Sequence, residues 1–199
     1  SRTINTCNKK ITKNINSLSS EIELITSIAN GNEQAFAMLY KRYAAKVYNT
    51  TLSYTKNTEE AEEVTQDVFV KVYKSAATFK GNSSLSTWIY RIAVNTSLNY
   101  LKKKNRFTFF RNSLSPSKTI DFEHPGVLLV NKEDAAALYK SMYCLPDSQK
   151  TAFILSYIED LPRQEVADIM GTSLKAVESL LQRSKKNMRS ELKKLYPHR

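Results

Sequence analysis

The stretch Leu161–Arg183, LPRQEVADIMGTSLKAVESLLQR, decides the fold of the C-terminal part of the chain. Two helices that pack steeply across a short turn need a small residue at the crossing point, and Ala167 is small. Gly171 stands at the turn, where a left-handed backbone is easiest for glycine. Apolar residues at matching spacing complete a small core: Val166, Ile169, Met170, Val177 and Leu180. We therefore predict a DNA-reading helix-turn-helix, with Pro162 at the start of its first helix and Thr172 or Ser173 as the N-cap of its second.

The second helix of this motif has a polar, basic outer face. Side chains on that face reach base edges and phosphates when such a helix enters a major groove. The outer-face residues are Lys175, Glu178, Ser179, Gln182, Arg183 and Lys186. From Arg183 to the end there are seven Lys or Arg and one acid, Glu191, whereas Leu181 and Met188 fit the core. The alternative interpretation is a helical hairpin with a solvated basic face.

The composition supports an all-helical protein with a polyanionic partner. The 199 residues suffice for one large or two small domains, and 41% of them are hydrophobic. Only 4 Gly and 5 Pro are present, which favours long helices over a strand-rich fold. The net charge of +11 indicates nucleic acid or an anionic membrane surface as partner. No apolar run of about 18 residues is present, and residues 1–16 lack the apolar region of a signal peptide.

The cysteines and histidines do not indicate a metal or catalytic site. Cys7 and Cys144 form no metal-spaced cluster, so we expect reduced thiols in the cytoplasm; a disulfide between them is the alternative. His124 and His198 lie in a breaker-rich segment and at the C-terminal end. No phosphate-binding loop or nucleophile motif occurs. We therefore expect no enzyme activity, no cofactor and no small-molecule substrate.

Helical periodicity divides the rest of the chain into two domains. Residues 1–20 form a polar arm that we expect to be disordered, and residues 21–106 form a first domain with three strongly periodic helices. Residues 107–132 contain Pro116, Pro125 and Gly126 and lack periodicity, which predicts a flexible linker with at most a short helix at 127–130. Residues 133–199 carry the helix-turn-helix. The predicted fold class is all-α, with two small helical domains joined by this linker.

Apolar residues recur every three or four positions along each predicted helix. In the first domain they are Phe36, Leu39, Tyr40, Tyr43, Val47 and Tyr48; Ala61, Val64, Val68, Phe69, Val72 and Tyr73; and Leu85, Trp88, Ile89 and Ile92, with the polar Thr96 next in the same period. Asn57 is predicted to cap the second of these helices, and residues 80–84 to form a turn before the third. In the second domain Phe153, Ile154, Tyr157 and Ile158 are predicted to face inward.

Four stretches together resemble bacterial RNA polymerase sigma factors of the compact, extracytoplasmic-function (ECF) group. They are Asn32-Glu33-Gln34-Ala35-Phe36 with Leu39-Tyr40; residues 60–69, EAEEVTQDVF; residues 84–93, SLSTWIYRIA; and residues 161–183. The resemblance runs from about residue 21 to 195. It implies that the first domain is similar to sigma region 2 and the second to sigma region 4. Promoter DNA and core RNA polymerase are the implied partners.

The resemblance assigns polymerase binding to the acid-rich second helix. Glu63, Gln66 and Asp67 fall at the positions that dock on the clamp helices of the largest polymerase subunit. The alternative is a solvated face paired with lysines such as Lys71.

The resemblance also implies two promoter-reading surfaces. For the −10 element, the turn residues Asn82, Ser83 and Ser84 would capture a flipped base, or else form a plain surface turn. The following helix would contribute Asn95, Asn99, Lys102, Lys103 and Arg106, with Lys104 as a further phosphate contact. For the −35 element the residues are Thr172, Ser173, Lys175, Ser179, Gln182, Arg183 and Lys186. Trp88 is interpreted as a core residue rather than a stacking platform.

Two departures from the family pattern affect promoter choice. Asn99 stands where Asp is usual, and Leu180 stands where Arg is frequent, so the promoter sequence is left open. A fully extended linker of 26 residues reaches roughly 85 Å. That length allows the two domains to bind elements about two DNA turns apart, at roughly 34 Å per turn.

Regulation is expected to come from a protein partner. In this family an anti-sigma factor, often membrane-bound, masks the polymerase-binding surfaces. Two competing classes stay open: a membrane-surface protein with a basic amphipathic tail, and an ordinary helix-turn-helix regulator that does not join the polymerase. Liposome binding tests the first, and binding to core polymerase tests the second.

Overall fold

The structure, a computed structural model, describes residues 20–111 and 132–196, and every regular element in these two ranges is helical. The first lobe contains α1 (residues 20–29), α2 (Glu33–Thr55), α3 (Thr58–Ser75) and α4 (Leu85–Arg111). The second lobe contains α5 (Lys132–Tyr143), α6 (Asp147–Phe153), α7 (Arg163–Met170) and α8 (Leu174–Leu195). A short 3-10 turn, Ala76–Thr78, follows α3, and a π-helical turn, Ile154–Ile158, follows α6. The all-α prediction is confirmed.

The core of the first lobe lies between α2, α3 and α4, each of which contacts the other two. The periodic residues predicted for these helices supply most of it, and α1 adds Ile25 and Ile28. The fully or nearly fully buried members include Leu39, Val47, Val64, Val68, Val72, Leu85, Ile89 and Ala93. Burial of each large aliphatic side chain stabilises the fold by about 1.5–3 kcal/mol relative to its exposure, so this core holds the lobe together.

Side-chain caps fix the starts of α2 and α3. Asn32 Oδ1 accepts a hydrogen bond from the Ala35 N–H (3.0 Å), and Asn57 Oδ1 accepts one from the Glu60 N–H (2.8 Å). The predicted Asn57 cap is therefore confirmed. Lys56, with φ of +61°, ends α2 in the left-handed region, where it turns the chain into α3.

The predicted boundaries of the linker need correction at both ends. Helix α4 continues to Arg111 rather than ending at Arg106, and α5 already begins at Lys132. The residues after Arg106 include no Gly or Pro before Pro116, so nothing local ends the helix there. At the other end of the first domain, Ser20 belongs to α1 rather than to the N-terminal arm. The expectations for Cys7, residues 112–131, His124 and His198 fall outside the described residues.

The second lobe packs α5, α6 and α7 around the long helix α8. Its buried residues include Met142, Leu145, Ala152, Ile154, Leu155, Val166, Val177, Leu181 and Met188. Ser184 of α8 is also fully buried, and its hydroxyl donates to the Gln149 carbonyl of α6 at 3.1 Å. These contacts fix α8 so that one face is buried and the other is left to solvent.

The π-helical turn changes which side chains face inward after α6. The Glu159 N–H donates to the Ile154 carbonyl (3.0 Å), an i to i+5 bond that adds one residue to the turn. Leu155 is fully buried in consequence, whereas Tyr157 is 42% exposed. The prediction that Tyr157 faces inward, which assumed an α-helical period, is therefore wrong; the prediction for Ile154 is confirmed. Tyr157 instead lies under the Lys185 ammonium, 4.9 Å from its ring centroid.

The two lobes contact each other directly. Tyr54, Tyr90 and Val94 of the first lobe belong to the same buried apolar cluster as the second-lobe core. Helix α4 also contacts α7. We call this contact the seam and define it by Tyr54, Tyr90, Arg91 and Val94 against Thr151, Glu159, Asp168 and Ile169.

Within residues 20–111 and 132–196, no helix combines the length and apolarity needed to cross a membrane. The same ranges contain no group of three or more His, Cys, Asp or Glu placed to hold a metal ion. The Cys144 thiol is free and exposed.

Candidate nucleic-acid interface

Helices α7 and α8 form the predicted helix-turn-helix. Gly171 ends α7 with φ of +64°, in the left-handed region that the sequence predicted for it. The Thr172 N–H then donates to the Ala167 carbonyl (3.0 Å), which closes the turn. Of the two cap candidates, Ser173 caps α8, because its hydroxyl oxygen accepts from the Ala176 N–H at 3.2 Å.

The core of this motif fixes the angle at which α8 leaves α7. Val166, Ala167 and Val177 have no solvent exposure, which confirms that a small residue stands at the crossing. Leu180 and Met170 are half-buried and pack against the same cluster. A larger side chain at position 167 would push the helices apart, at a cost of about 1–3 kcal/mol.

The outer face of α8 carries the side chains assigned to the −35 element. Lys175, Gln182, Arg183 and Lys186 are exposed. The Arg183 guanidinium is held along the helix, because Nη2 donates to Ser179 Oγ (2.9 Å) and Nε to the Ser179 carbonyl (3.3 Å). This geometry presents the guanidinium on a rigid helix rather than on a loop.

A weak ion pair joins the two helices of the motif, α7 and α8. Arg163 Nη1 of α7 lies 3.9 Å from Glu178 Oε1 of α8, and both side chains are about half-exposed. An exposed pair of this kind contributes a few tenths of a kcal/mol, up to about 1. The buried core, and not this ion pair, therefore fixes the position of α8.

Helix α4 presents amide and basic side chains on its exposed side. Asn95 and Asn99 are exposed one helical turn apart, and Lys102 follows three positions later. Lys103 and Arg106 are also exposed. Beneath them the Lys71 ammonium of α3 donates to Thr96 Oγ1 (3.1 Å), which ties α4 to the neighbouring helix. The −10 candidates of α4 thus share one well-supported helix.

The turn before α4 has a structural role beside the predicted one. Ser84 Oγ accepts from the Thr87 N–H (3.1 Å) and lies 2.9 Å from Thr87 Oγ1, so it caps α4. Glu21 Oε2 of α1 accepts from the Leu85 N–H (3.0 Å) and fastens the turn from the other side. Asn82 and Ser84 are exposed and Ser83 is half-buried. Asn82 is the turn residue whose side chain stays most open to a ligand.

The aromatic residues near this turn pack on the core. Trp88 is half-buried against the first-lobe cluster, with its ring 5.2 Å from that of Phe79. This position supports the interpretation of Trp88 as a packing residue.

The acid-rich start of α3 splits into two groups. Glu63, Gln66 and Asp67 are exposed on one face of the helix. Glu60 instead forms an ion pair with Lys104 at the basic end of α4. Lys104 therefore has a partner within the protein, and its phosphate contact stays a prediction. Burial together with Glu60 and Glu63 raises the pKa of Tyr100, which lies between the two helices, to about 12.

The seam is held together by residues to which the sequence analysis assigned no role. Arg91 Nε donates to the Asp168 carbonyl of α7 at 2.9 Å. The Tyr90 hydroxyl donates to Glu159 Oε2 at 3.1 Å. Burial raises the pKa of Glu159 above its usual 4.5, against the opposing effect of Tyr90, Thr50 and Lys46. Since these partners are far apart along the chain, no local pattern signals their pairing.

Near the seam, Lys56 lies over the ring of Tyr143, with Nζ 3.3 Å from the ring centroid. Burial, with Lys150 and then Lys104 nearby, lowers the pKa of Lys56 to about 8. This lysine therefore joins the end of α2 to the end of α5.

Two family models match the chain, in the order of the two lobes. Sigma-70 region 2 matches residues 39–107, and Sigma-70, region 4 matches residues 135–188. Together they cover more than half of the chain. The first match contains α3 and most of α4, and the second contains the helix-turn-helix.

Curated relatives are similar over nearly their whole length. The RNA polymerase sigma-H factor of Pseudomonas aeruginosa is 27% identical over 184 residues, which cover 87% of this chain and 94% of the relative. The ECF RNA polymerase sigma factor SigW of Bacillus subtilis is 26% identical over 179 residues, covering 86% and 96%. The ECF RNA polymerase sigma-E factor of Escherichia coli is 27% identical over 180 residues, covering 86% and 94%.

Two solved structures share the fold. CnrH, solved in complex with the cytosolic domain of CnrY, aligns with a TM-score of 0.62 at 20% identity and covers 86% of this chain and 96% of that one. The sigma factor RpoE from Bartonella quintana, solved with the anti-sigma factor NepR, also aligns with a TM-score of 0.62 at 20% identity, covering 79% and 96%.

The domain matches and the relatives agree on the family. Both regions of a sigma-70 protein are present in the expected order, and relatives with the ECF name align over most of both chains. The chain therefore belongs to the ECF group of RNA polymerase sigma factors, which bind core RNA polymerase and direct promoter-specific transcription initiation.

Proposed function

We propose that this sigma factor divides its work among three exposed surfaces. The polymerase-binding surface consists of Glu63, Gln66 and Asp67 on α3. The −10 surface consists of residues 82–84 with Asn95, Asn99, Lys102, Lys103 and Arg106. The −35 surface consists of Thr172, Ser173, Lys175, Ser179, Gln182, Arg183 and Lys186.

The separation of charge between α3 and α8 is the observation that carries this proposal. The described exposed side of α3 is acidic at Glu63 and Asp67, while α8 exposes Lys175, Arg183 and Lys186. Phosphate attracts the cations and repels the carboxylates. The acidic surface is therefore suited to a protein partner, and the basic surface to DNA.

We expect different residues to recognise the DNA bases and to position the protein on the DNA backbone. Asn95 and Asn99 offer amides that pair bidentately with adenine, and Arg183 offers a guanidinium that pairs with guanine. Lys102, Lys103 and Arg106 supply phosphate contacts, which fix register without reading sequence.

A pull-down against purified core RNA polymerase tests the polymerase-binding surface. We expect the Gln66→Ala/Asp67→Ala variant to lose most of its binding relative to the unchanged chain. The matched control is Glu23→Ala/Gln34→Ala, which also removes one carboxylate and one amide from exposed positions, on α1 and α2. Equal binding by both variants would refute the assignment to α3. If the folded, unchanged chain fails to bind, the protein acts as an ordinary helix-turn-helix regulator instead.

Regulation by an anti-sigma factor is part of the proposal. RpoE, which shares this fold, was solved with the anti-sigma factor NepR. A partner of this class would mask the polymerase-binding surface and so compete with core polymerase in the same pull-down. We further propose that the protein acts in the cytoplasm beside the polymerase, without a catalytic residue, cofactor or small-molecule substrate of its own.

A further inference from the structure

Helix α1 supports the start of α4 from a distant part of the chain. The Leu85 N–H donates to Glu21 Oε2 at 3.0 Å, and the two residues are 64 positions apart. Leu85 is the first residue of α4 and has no solvent exposure. The N–H groups at the start of a helix have no carbonyl partner within it, so a buried one needs a partner from elsewhere. Glu21 supplies that partner.

Two side chains divide the capping of α4 between them. Ser84 Oγ accepts from the Thr87 N–H at 3.1 Å, within the turn and the helix that it starts. Glu21 accepts from the Leu85 N–H. A carboxylate is favourable at this end of a helix because the helix dipole is positive there. Together these two bonds fix the direction in which the turn enters α4.

The next residue of α1 packs on the other end of the turn. A Cβ placed on Gly81 would lie 3.0 Å from Ile22 Cδ1, which is closer than ordinary van der Waals contact. Gly81 has φ of +69°, a left-handed conformation that glycine adopts readily. Ile22 would therefore have to move to admit any side chain at position 81. Glu21 and Ile22 thus hold the turn at both of its ends.

Aromatic packing anchors the chain just before this turn. The rings of Phe79 and Trp88 lie 5.2 Å apart, and both residues pack against the core of the first lobe. Asn82 is exposed within the turn that these contacts surround. Extruding a base from the stack costs free energy that hydrogen bonds to the base must offset. Such bonds compensate best when the side chains that make them are already in place.

We propose that Glu21 is a positioning residue for base capture: it holds the turn so that Asn82 meets the extruded base of the −10 element in one geometry. Ile22 supports the same turn through Gly81. This inference rests on the proposed function, because it takes residues 82–84 to be part of the −10 surface. The hydrogen bond between α1 and α4 is independent of that assignment, so the two can be tested separately.

Selection from random DNA by the complete holoenzyme tests the proposal. The unchanged chain and each variant are combined with core RNA polymerase, and the bound DNA is sequenced to give the base preference at every promoter position. Asn82→Ala first identifies the position that the turn reads. Glu21→Ala should reduce the preference at that same position about fivefold, as expected for the loss of one hydrogen bond, and leave the other positions unchanged.

Two further variants of α1 separate positioning from a general loss of structure. Glu23→Ala removes an exposed glutamate from the same helix and should leave every preference unchanged. Glu21→Gln keeps an oxygen that accepts from the Leu85 N–H and should restore most of the lost preference. A variant that is merely less stable would instead lose preference at all −10 positions, because the whole first lobe would be affected.

Hydrogen exchange of the Leu85 amide, followed by NMR on the free protein, measures the bond between α1 and α4 without DNA. In Glu21→Ala this amide loses its acceptor. It should therefore exchange faster than in the unchanged chain and in Glu23→Ala. The amide of Val68, in the core of α3, should keep its rate in all three proteins.

The outcomes separate this inference from the assigned function. If Asn82→Ala changes one position and Glu21→Ala leaves that position unchanged, the inference is wrong, although the turn still reads DNA. A loss that is equal at all −10 positions, or that Glu21→Gln does not restore, would also overturn it. If Asn82→Ala changes no position, the proposed role of the turn fails and the positioning role fails with it. Faster exchange at Leu85 would then show only that the bond joins the two helices.

Discussion

A double-mutant cycle on Tyr54 and Thr151 measures the strength of the seam. The Tyr54 hydroxyl donates to Thr151 Oγ1 at 2.9 Å, and the two residues are 1% and 3% exposed. Tyr54→Phe removes this bond, at a net cost of about 1 kcal/mol. Thr151→Val leaves the tyrosine hydroxyl buried without that partner, which costs about 1–3 kcal/mol. The double variant removes both polar groups, so its cost should be smaller than the sum by about 1 kcal/mol.

Urea unfolding of the three variants and the unchanged chain gives this coupling energy, with circular dichroism and Trp88 fluorescence as readouts. Since the partners belong to different lobes, coupling arises only if the lobes are docked in solution. Tyr48→Phe combined with Thr151→Val serves as the control pair, because Tyr48 is not a seam residue. Additivity of Tyr54→Phe and Thr151→Val within about 0.3–0.5 kcal/mol would refute the contact.

Three further predictions concern the second lobe. Burial raises the pKa of Glu159, so its charge destabilises the fold at neutral pH, and this penalty fades as the pH falls toward 4.5. Glu159→Gln should therefore raise Tm at pH 7.5 but not at pH 4. An equal gain in Tm at both pH values would contradict this. Ser173→Ala should lower stability by about 1 kcal/mol and Ser173→Gly by only a few tenths, as judged by urea unfolding. Arg183→Ala should weaken the base preference at one −35 position by about 1–3 kcal/mol, as measured by selection from random DNA, and should leave polymerase binding unchanged. Lys193→Ala is the control. Loss of both the base preference and polymerase binding would indicate misfolding.

Local rules were sufficient to predict the helix-turn-helix. Ala167, Gly171 and Ser173 are each required by geometry within a few residues of themselves: a close crossing, a left-handed turn and a helix cap. The same holds for Asn57, whose cap bond spans three residues. Each of these requirements involves residues that are close together along the chain, so the sequence alone is enough to predict them.

The π-helical turn shows where local reasoning fails. An apolar period of 3.6 residues predicts Tyr157 inside, and the added residue of the turn places Leu155 inside instead. Apolar residues occupy every position from Ile154 to Ile158 except Ser156, so the pattern itself does not choose between the two periods. Packing against the rest of the lobe makes the choice, and that packing is not local.

Roles shared between structure and binding were also out of reach of the sequence. Ser84 was assigned to a flipped base, and it also caps α4. Lys104 was assigned to phosphate, and it pairs with Glu60. A motif match identifies residue type and position, but only the folded chain shows which polar side chains are already engaged. The site assignments therefore stay predictions, with Asn82, Asn95 and Arg183 as their most exposed members.

The seam between the lobes buries several polar groups beside its apolar contact. Its buried members Tyr54, Tyr90 and Thr151 carry hydroxyls that water can satisfy after separation, and Arg91 bonds through a charged group that is readily hydrated. Contacts between domains that move are more polar than a permanent core for this reason. Burial of Glu159 raises its pKa and penalises its charged form at neutral pH. A purely apolar seam would hold the lobes together more strongly than this partly polar one.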